Sequence, residues 1–181
     1  MKAGESRSLC GPGCQSCSPW KNLDKKTTIV GLISDTHGLL RAEAVRALRG
    51  SDVILHAGDV GAPEILEGLE TIAPVVAVRG NVDTGEWAKA LPLTAVIPLG
   101  SARIYMLHIL EDLDLDPRVA GFPIVVSGHS HKPGQTEKDG VLYINPGSAG
   151  PCRFYLPVTV ARLRLAVRPW KVEFIELPVT K

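Results

Sequence analysis

A chain of 181 residues suits one domain of ordinary size with a real core, and 45% hydrophobic against 22% charged residues is a globular composition rather than a disordered one. Lys plus Arg number 20 against 19 for Asp plus Glu, a net charge of +1, which gives no basis for general nucleic-acid or anionic-membrane binding. No apolar run approaches the roughly 18 residues that a bilayer-spanning helix needs.

Residues 1–26 are rich in Gly, Ser, Pro and Lys and carry no helical or strand period, so they predict a mobile N-terminal extension ahead of a domain over 27–181. They also lack the apolar stretch of a secretory signal, which makes the cytoplasm the expected compartment. Within them, Cys10, Cys14 and Cys17 have a spacing that resembles the iron–sulfur motif of radical-SAM enzymes. That family needs a larger barrel than this length supplies. The readings left are a zinc or cluster site with an external fourth ligand, or a metal-free tail.

From residue 28 the pattern becomes strand–helix–strand. Thr28–Ile33 is an apolar run that reads as a buried strand, and it ends in Ser34-Asp35-Thr36-His37-Gly38. Arg41–Arg49 places Ala44, Val45 and Leu48 on one helical face, with Gly50 as a stop. Asp52–His56 is a second strand running into Ala57-Gly58-Asp59, and Ala62–Leu69 a second helix opened by Pro63. Pro74–Val78 is a third strand, leading to Arg79-Gly80-Asn81-Val82-Asp83. These repeats predict a parallel sheet with helices on its faces.

The second half predicts neighbouring strands at Thr94–Pro98 and Arg103–Leu107, followed by His108. Glu111–Ala120 predicts an acidic helix that Pro117 interrupts. Ile124–Ser127 is a strand leading into Gly128-His129-Ser130-His131, and Val141–Ile144 another, leading into Asn145-Pro146-Gly147-Ser148. Val158–Val167 and Trp170–Leu177 alternate as a closing hairpin. Two mixed sheets packed face to face, with helices outside, account for this order.

In open α/β sheets, ligands bind beyond the carboxyl ends of the strands. Those ends carry Asp35, His37, Asp59, Asn81, His108, His129 and His131, with four of the five histidines among them. Asp, His and Asn donors suit a borderline divalent metal. Taken singly, Asp35 or Asp59 reads as a helix cap or turn residue, Asn81 as a left-handed turn and His108 as a core histidine. His56 lies inside a strand and reads as structural, or as an outer hydrogen-bond partner of a ligand. Seven donors exceed what one tetrahedral ion requires. Two ions sharing a carboxylate would use them all, and such a pair activates water and neutralises phosphoryl oxygens, chemistry suited to phosphate-ester hydrolysis.

The motifs Asp35-Thr-His37-Gly38, Gly58-Asp59, Gly80-Asn81-Val82-Asp83, His108 and Gly128-His129-Ser-His131 together resemble the calcineurin-like metallophosphoesterase superfamily. The resemblance is to its small branch of bacterial and archaeal phosphodiesterases and retromer-type scaffolds. It implies a four-layer αββα sandwich and two divalent ions, manganese foremost, with nickel, iron or zinc tolerated. It implies that Asp35, His37, Asp59 and His131 hold one ion and Asp59, Asn81, His108 and His129 the other, with Asp59 as bridge. It also assigns catalytic roles to Asp59, Asn81 and His108. Two positions depart from the pattern. Val82 stands where larger members carry a leaving-group acid, leaving water or a side chain such as Asp83 to supply the proton. Ile109 stands where many relatives have glycine. Asn145–Ser148 resembles a positional loop of the family, and Arg79 is a candidate phosphate contact or a salt-bridged arginine. The expectation is a phosphodiesterase acting through a hydroxide between the two ions on a small phosphate ester, with a phosphomonoesterase or a non-catalytic scaffold as alternatives.

Overall fold

The computed structural model describes residues 28–178 apart from 101, 154 and 167, so the reading of Cys10, Cys14 and Cys17 lies outside the described residues. Two five-stranded sheets, both mixed, make up its body. The first contains β1 (Thr28–Ile33), β2 (Val53–His56), β3 (Val75–Ala77), β9 (Thr159–Leu165) and β10 (Lys171–Glu176), in the order β10-β9-β1-β2-β3. Strands β1, β2 and β3 run parallel, while β9 pairs antiparallel with both β1 and β10. The second contains β4 (Thr94–Leu99), β5 (Ala102–Leu107), β6 (Ile124–Val126), β7 (Gly134–Lys138) and β8 (Val141–Asn145), in the order β4-β5-β6-β8-β7. Its centre, β5-β6-β8, is parallel and both edge strands are antiparallel.

The strands read as they do because of where they sit. Central β1 is covered on both faces and carries no polar side chain after Thr28, whereas edge strand β4 alternates exposed and buried positions. Pro98 is tolerated in β4 because an edge strand has one side free of ladder bonds. Between the sheets lies a shared apolar core: Val30, Leu32, Val53 and Leu55 from one meet Ile104, Met106, Ile124 and Val126 from the other. The opposite face of the first sheet, with Ile33, Ile54 and Val160, is covered by α1 (Ala42–Leu48) and α2 (Pro63–Glu70) through Ala44, Leu48, Ile65 and Leu69. These are the sandwich and the helical layer expected from the sequence. A further short helix, α3 (Glu86–Lys89), follows the Asn81 loop.

The outer face of the second sheet is covered differently from the expectation. Tyr105, Leu107 and Val125 pack under Phe122, Leu113 and Leu115, which belong to a single 3-10 turn (Leu110–Asp112) and the irregular chain after it. The acidic helix expected over 111–120 does not form. Asp116 caps a turn instead, its Oδ1 accepting from the Arg118 and Val119 amides, and the Phe122 amide bonds to the Pro117 carbonyl. Strand β7, with the polar sequence GQTEK, was not foreseen. None of the described helices is long and apolar enough to cross a membrane.

Candidate metal centre

Every expected donor sits just beyond a strand: Asp35 and His37 after β1, Asp59 after β2, Asn81 after β3, His108 after β5, His129 and His131 after β6. The chain turns sharply at these points. Asp35, His37, Asp59, His129 and His131 all adopt left-handed backbone, with φ of 55, 47, 54, 65 and 57°. Among the described non-glycine residues only Asp139 shares that conformation. Asp and His accept it more readily than most side chains, but it still costs energy and is found where surrounding structure imposes it. Backbone bonds impose it here: the Asp35 amide binds the Gly58 carbonyl, and the His37 amide binds the Asp59 carbonyl. The β1 and β2 loops are thereby laced together.

One group of donors converges around His37. Its Nε2 lies 3.4 Å from His131 Nε2, 4.0 Å from Asp35 Oδ1 and 3.9 Å from Asp59 Oδ2. Asp35 is fully buried, and its Oδ2 accepts from Ser34 Oγ at 2.5 Å and the His129 amide at 3.1 Å. Its Oδ1 has no hydrogen-bond partner, although His131 Nε2 is only 3.1 Å away. Burial, followed by the Arg153 and His37 charges, lowers His131 to a pKa of about 4, so its imidazole is neutral at pH 7. Burial likewise lowers His37. Neutral imidazoles and a buried carboxylate oxygen without a donor are what a divalent cation requires of its ligands.

A second group converges around His108. Its Nδ1 lies 2.7 Å from the Ala57 carbonyl, to which the ring N–H donates, leaving Nε2 facing Asp59 Oδ1 at 3.3 Å and Asn81 Oδ1 at 3.0 Å. Asn81 Oδ1 also lies 3.0 Å from His129 Nδ1. In a neutral His108 these are lone pairs facing lone pairs, an arrangement resolved by a cation or by a proton on the ring. Burial alone would lower His108, but hydrogen bonds to Asp59 and to the Ala57 carbonyl outweigh it and raise the pKa. Asp59 shows the reverse balance: burial would raise it, and His108 with the Val82 amide holds it low. The residues present therefore fit divalent metal, in two groups that meet at Asp59. Ligand atoms of Asp35, Asp59 and His108 also lie within 4.8 Å of one another.

Glycines allow this approach. A Cβ on Gly80 would overlap the Asp59 amide nitrogen and Oδ1, so only glycine lets the Asn81 loop pass against that carboxylate. The loop is held by Asp83, a residue expected as a candidate leaving-group acid. The structure corrects that reading. Asp83 is buried and accepts two backbone bonds, from Gly61 N at 2.7 Å and Gly80 N at 2.8 Å, so it braces the loop. Asn145 is positional: its Nδ2 donates to the Gly128 carbonyl at 2.6 Å and to Ser130 Oγ at 3.1 Å, pinning the His129–His131 turn. His56 Nε2 donates to Thr36 Oγ1 at 2.9 Å, and that hydroxyl donates to the Val60 carbonyl at 2.9 Å. Sequence reading missed Ser34, whose hydroxyl bonds Asp35; its position beside an isolated acid carries no spacing signal.

A two-sheet α/β sandwich with Asp, Asn and His donors gathered at strand carboxyl ends is the class of protein these features define. The model of the calcineurin-like phosphoesterase superfamily domain matches residues 29–167, and the chain belongs to that family. A probable metallophosphoesterase of Methanothermobacter thermautotrophicus is 35% identical over 135 residues, 66% of this chain and 76% of that protein. An archaeal phosphodiesterase structure superposes with a TM-score of 0.68 at 23% identity, covering 83% of this chain and all (100%) of that one. Wild-type Vps29 of Entamoeba histolytica complexed with zinc superposes at 0.56 with 22% identity, covering 82% and 99%. These two structures establish likeness of fold.

Proposed function

We propose that the chain is a dinuclear, metal-dependent phosphodiesterase. The observation that carries this reading is the orientation of Asp59, whose Oδ2 faces His37 at 3.9 Å while its Oδ1 faces His108 at 3.3 Å. One carboxylate thus presents an oxygen to each group, so Asp59 would be available to an ion held by either. Asp35, His37 and His131 would complete one ion's set, and Asn81, His108 and His129 the other's. Manganese is the proposed metal, and the zinc bound by the Vps29 relative supports a divalent ion in this fold. When bound, the two ions supply an activated water and positive charge for the phosphoryl oxygens.

The chain's own residues set the stage for that chemistry. Ser34 and the His129 amide hold Asp35 Oδ2, so that Oδ1 stays aimed at His131. The Ala57 carbonyl fixes the His108 tautomer, and Asp83 fixes the loop carrying Asn81. Val82 is exposed and cannot deliver a proton, and Asp83 is engaged by amides. We therefore assign leaving-group protonation to water, which favours esters with good leaving groups.

The test is hydrolysis of bis(p-nitrophenyl) phosphate and of p-nitrophenyl phosphate by chelator-treated protein reloaded with manganese. The diester is expected to turn over faster, and Asp59→Asn to abolish turnover of both. A scaffold, the reading that the Vps29 likeness allows, predicts no metal-dependent turnover and unchanged behaviour of that variant.

A further inference from the structure

Directly beside Asn81 and His108 lies a cavity of about 380 Å³. It runs between the Arg79–Asn81 loop, the start of β4, the inner end of β5 and the segment from Ile109 to Asp114. One wall carries the apolar residues Leu93, Leu107 and Ile109, with Tyr105 beside them. Leu93 is 61% exposed, a large apolar side chain left uncovered next to the donor cluster. On the other wall stands Arg79, half-buried, its backbone amide bonded to the Pro92 carbonyl. Among the described residues no hydrogen bond or ion pair engages its guanidinium, which is unusual for an arginine out of full solvent contact. Thr94, Asp112 and Asp114 complete the lining, and the volume lies in the range of small-molecule sites.

We propose that this cavity binds one ester group of the substrate, an apolar or aromatic group, while Arg79 contacts a phosphoryl oxygen. The inference deepens the phosphodiesterase reading and rests on it for the position of the phosphorus, since Asn81 and His108 line both the cavity and the donor cluster. It names the substrate class: a phosphodiester with one compact, uncharged organic substituent. Arg79 supplies a planar donor pair suited to a phosphoryl group. Leu93 and Ile109 provide surface that a methyl ester would leave wet and an aryl or similar group would cover.

Binding separates this inference from catalysis. Calorimetric titration of the zinc-loaded protein with phenylphosphonate and with methylphosphonate should show the phenyl compound binding roughly tenfold tighter or more, from burial of the ring. Ile109→Trp, which fills the cavity, should erase that preference by lowering the affinity for the phenyl compound more than that for methylphosphonate. Arg79→Met should weaken both ligands by about tenfold. Arg79→Lys should recover part of that loss. Equal affinity of the wild type for the two phosphonates, or a preference that survives Ile109→Trp, overturns the proposal even if diesters are hydrolysed. The expected binding pattern without any turnover would leave the cavity assignment standing and refute the catalytic one.

Discussion

Asp35→Asn should stabilise the metal-free protein while destroying its metal site. The Asp35 carboxyl is fully buried and its pKa is raised from 3.8 to about 6, chiefly by burial, with Ser34 opposing. A folded carboxyl that keeps its proton to higher pH than the unfolded one loses stability as pH rises from about 4 to about 6. Two pKa units correspond to about 3 kcal/mol above pH 6. Asparagine has no charge to bury. Its oxygen can keep the bonds from Ser34 Oγ and the His129 amide, and its Nδ2 would face His131 Nε2, now 3.1 Å from Oδ1, as a donor to a lone pair. In chelator at pH 8 the variant should therefore melt higher by roughly 6–12 °C, and the gap should shrink to about 1 kcal/mol at pH 4.5. Metal at about a thousand times Kd should reverse the order, because it adds ~4.1 kcal/mol to the wild type, more than the gap, and the variant has lost a ligand. Thermal denaturation at two pH values, with and without manganese, checks each step. A chelated variant no more stable than wild type at pH 8, or a gap independent of pH, would refute the reasoning.

Burial lowers His56 to a pKa of about 4, so its contribution is present above pH 6.5 and lost as pH falls through 4. The loss is about 3 kcal/mol, and His56→Gln should flatten the acid limb of a urea-denaturation pH series by a comparable amount. Gly80→Ala drives a Cβ into the Asp59 backbone and carboxylate, so activity should fall at least about 100-fold with reduced metal content by elemental analysis. Gly134→Ala, in open space, should leave both unchanged. Asp83→Ala strands the Gly61 and Gly80 amides, costing about 2–4 kcal/mol in denaturant titration, and should release one of two bound metals more readily than the other.

The parallel half of the first sheet was legible in the sequence because β1 and β2 are short apolar runs that end in Gly and Asp, and α1 and α2 carry plain helical stripes. The donors were legible for the same reason: strand ends can be read, and ligands follow them. What escaped reading depends on partners far away in the chain. Strand β7 is polar and exposed, and exists through its pairing with β8 at the sheet edge. The segment from Glu111 to Ala120 has helical composition, but Asp116 and Pro117 divert it into turns, and its apolar residues cover β5 and β6 without periodicity. Asp83 looked like a free acid because its two amide partners, Gly61 and Gly80, lie on different loops.

The donor cluster is costly in three independent ways, and the costs coincide. Five of its residues hold left-handed backbone, each at the low end of about 1–3 kcal/mol for such geometry. Asp35 keeps a buried oxygen without a donor, and His108 faces two acceptor oxygens. A surface that served only as a scaffold would gain by relaxing any of them: a glycine at 37, an amide at 35, a donor opposite His108. Cations placed between Asp35 and His131, and between Asp59, Asn81 and His108, would offset the electrostatic costs together and give the backbone strain a purpose. The same logic explains why Asp35→Asn is expected to gain stability and lose function in one step.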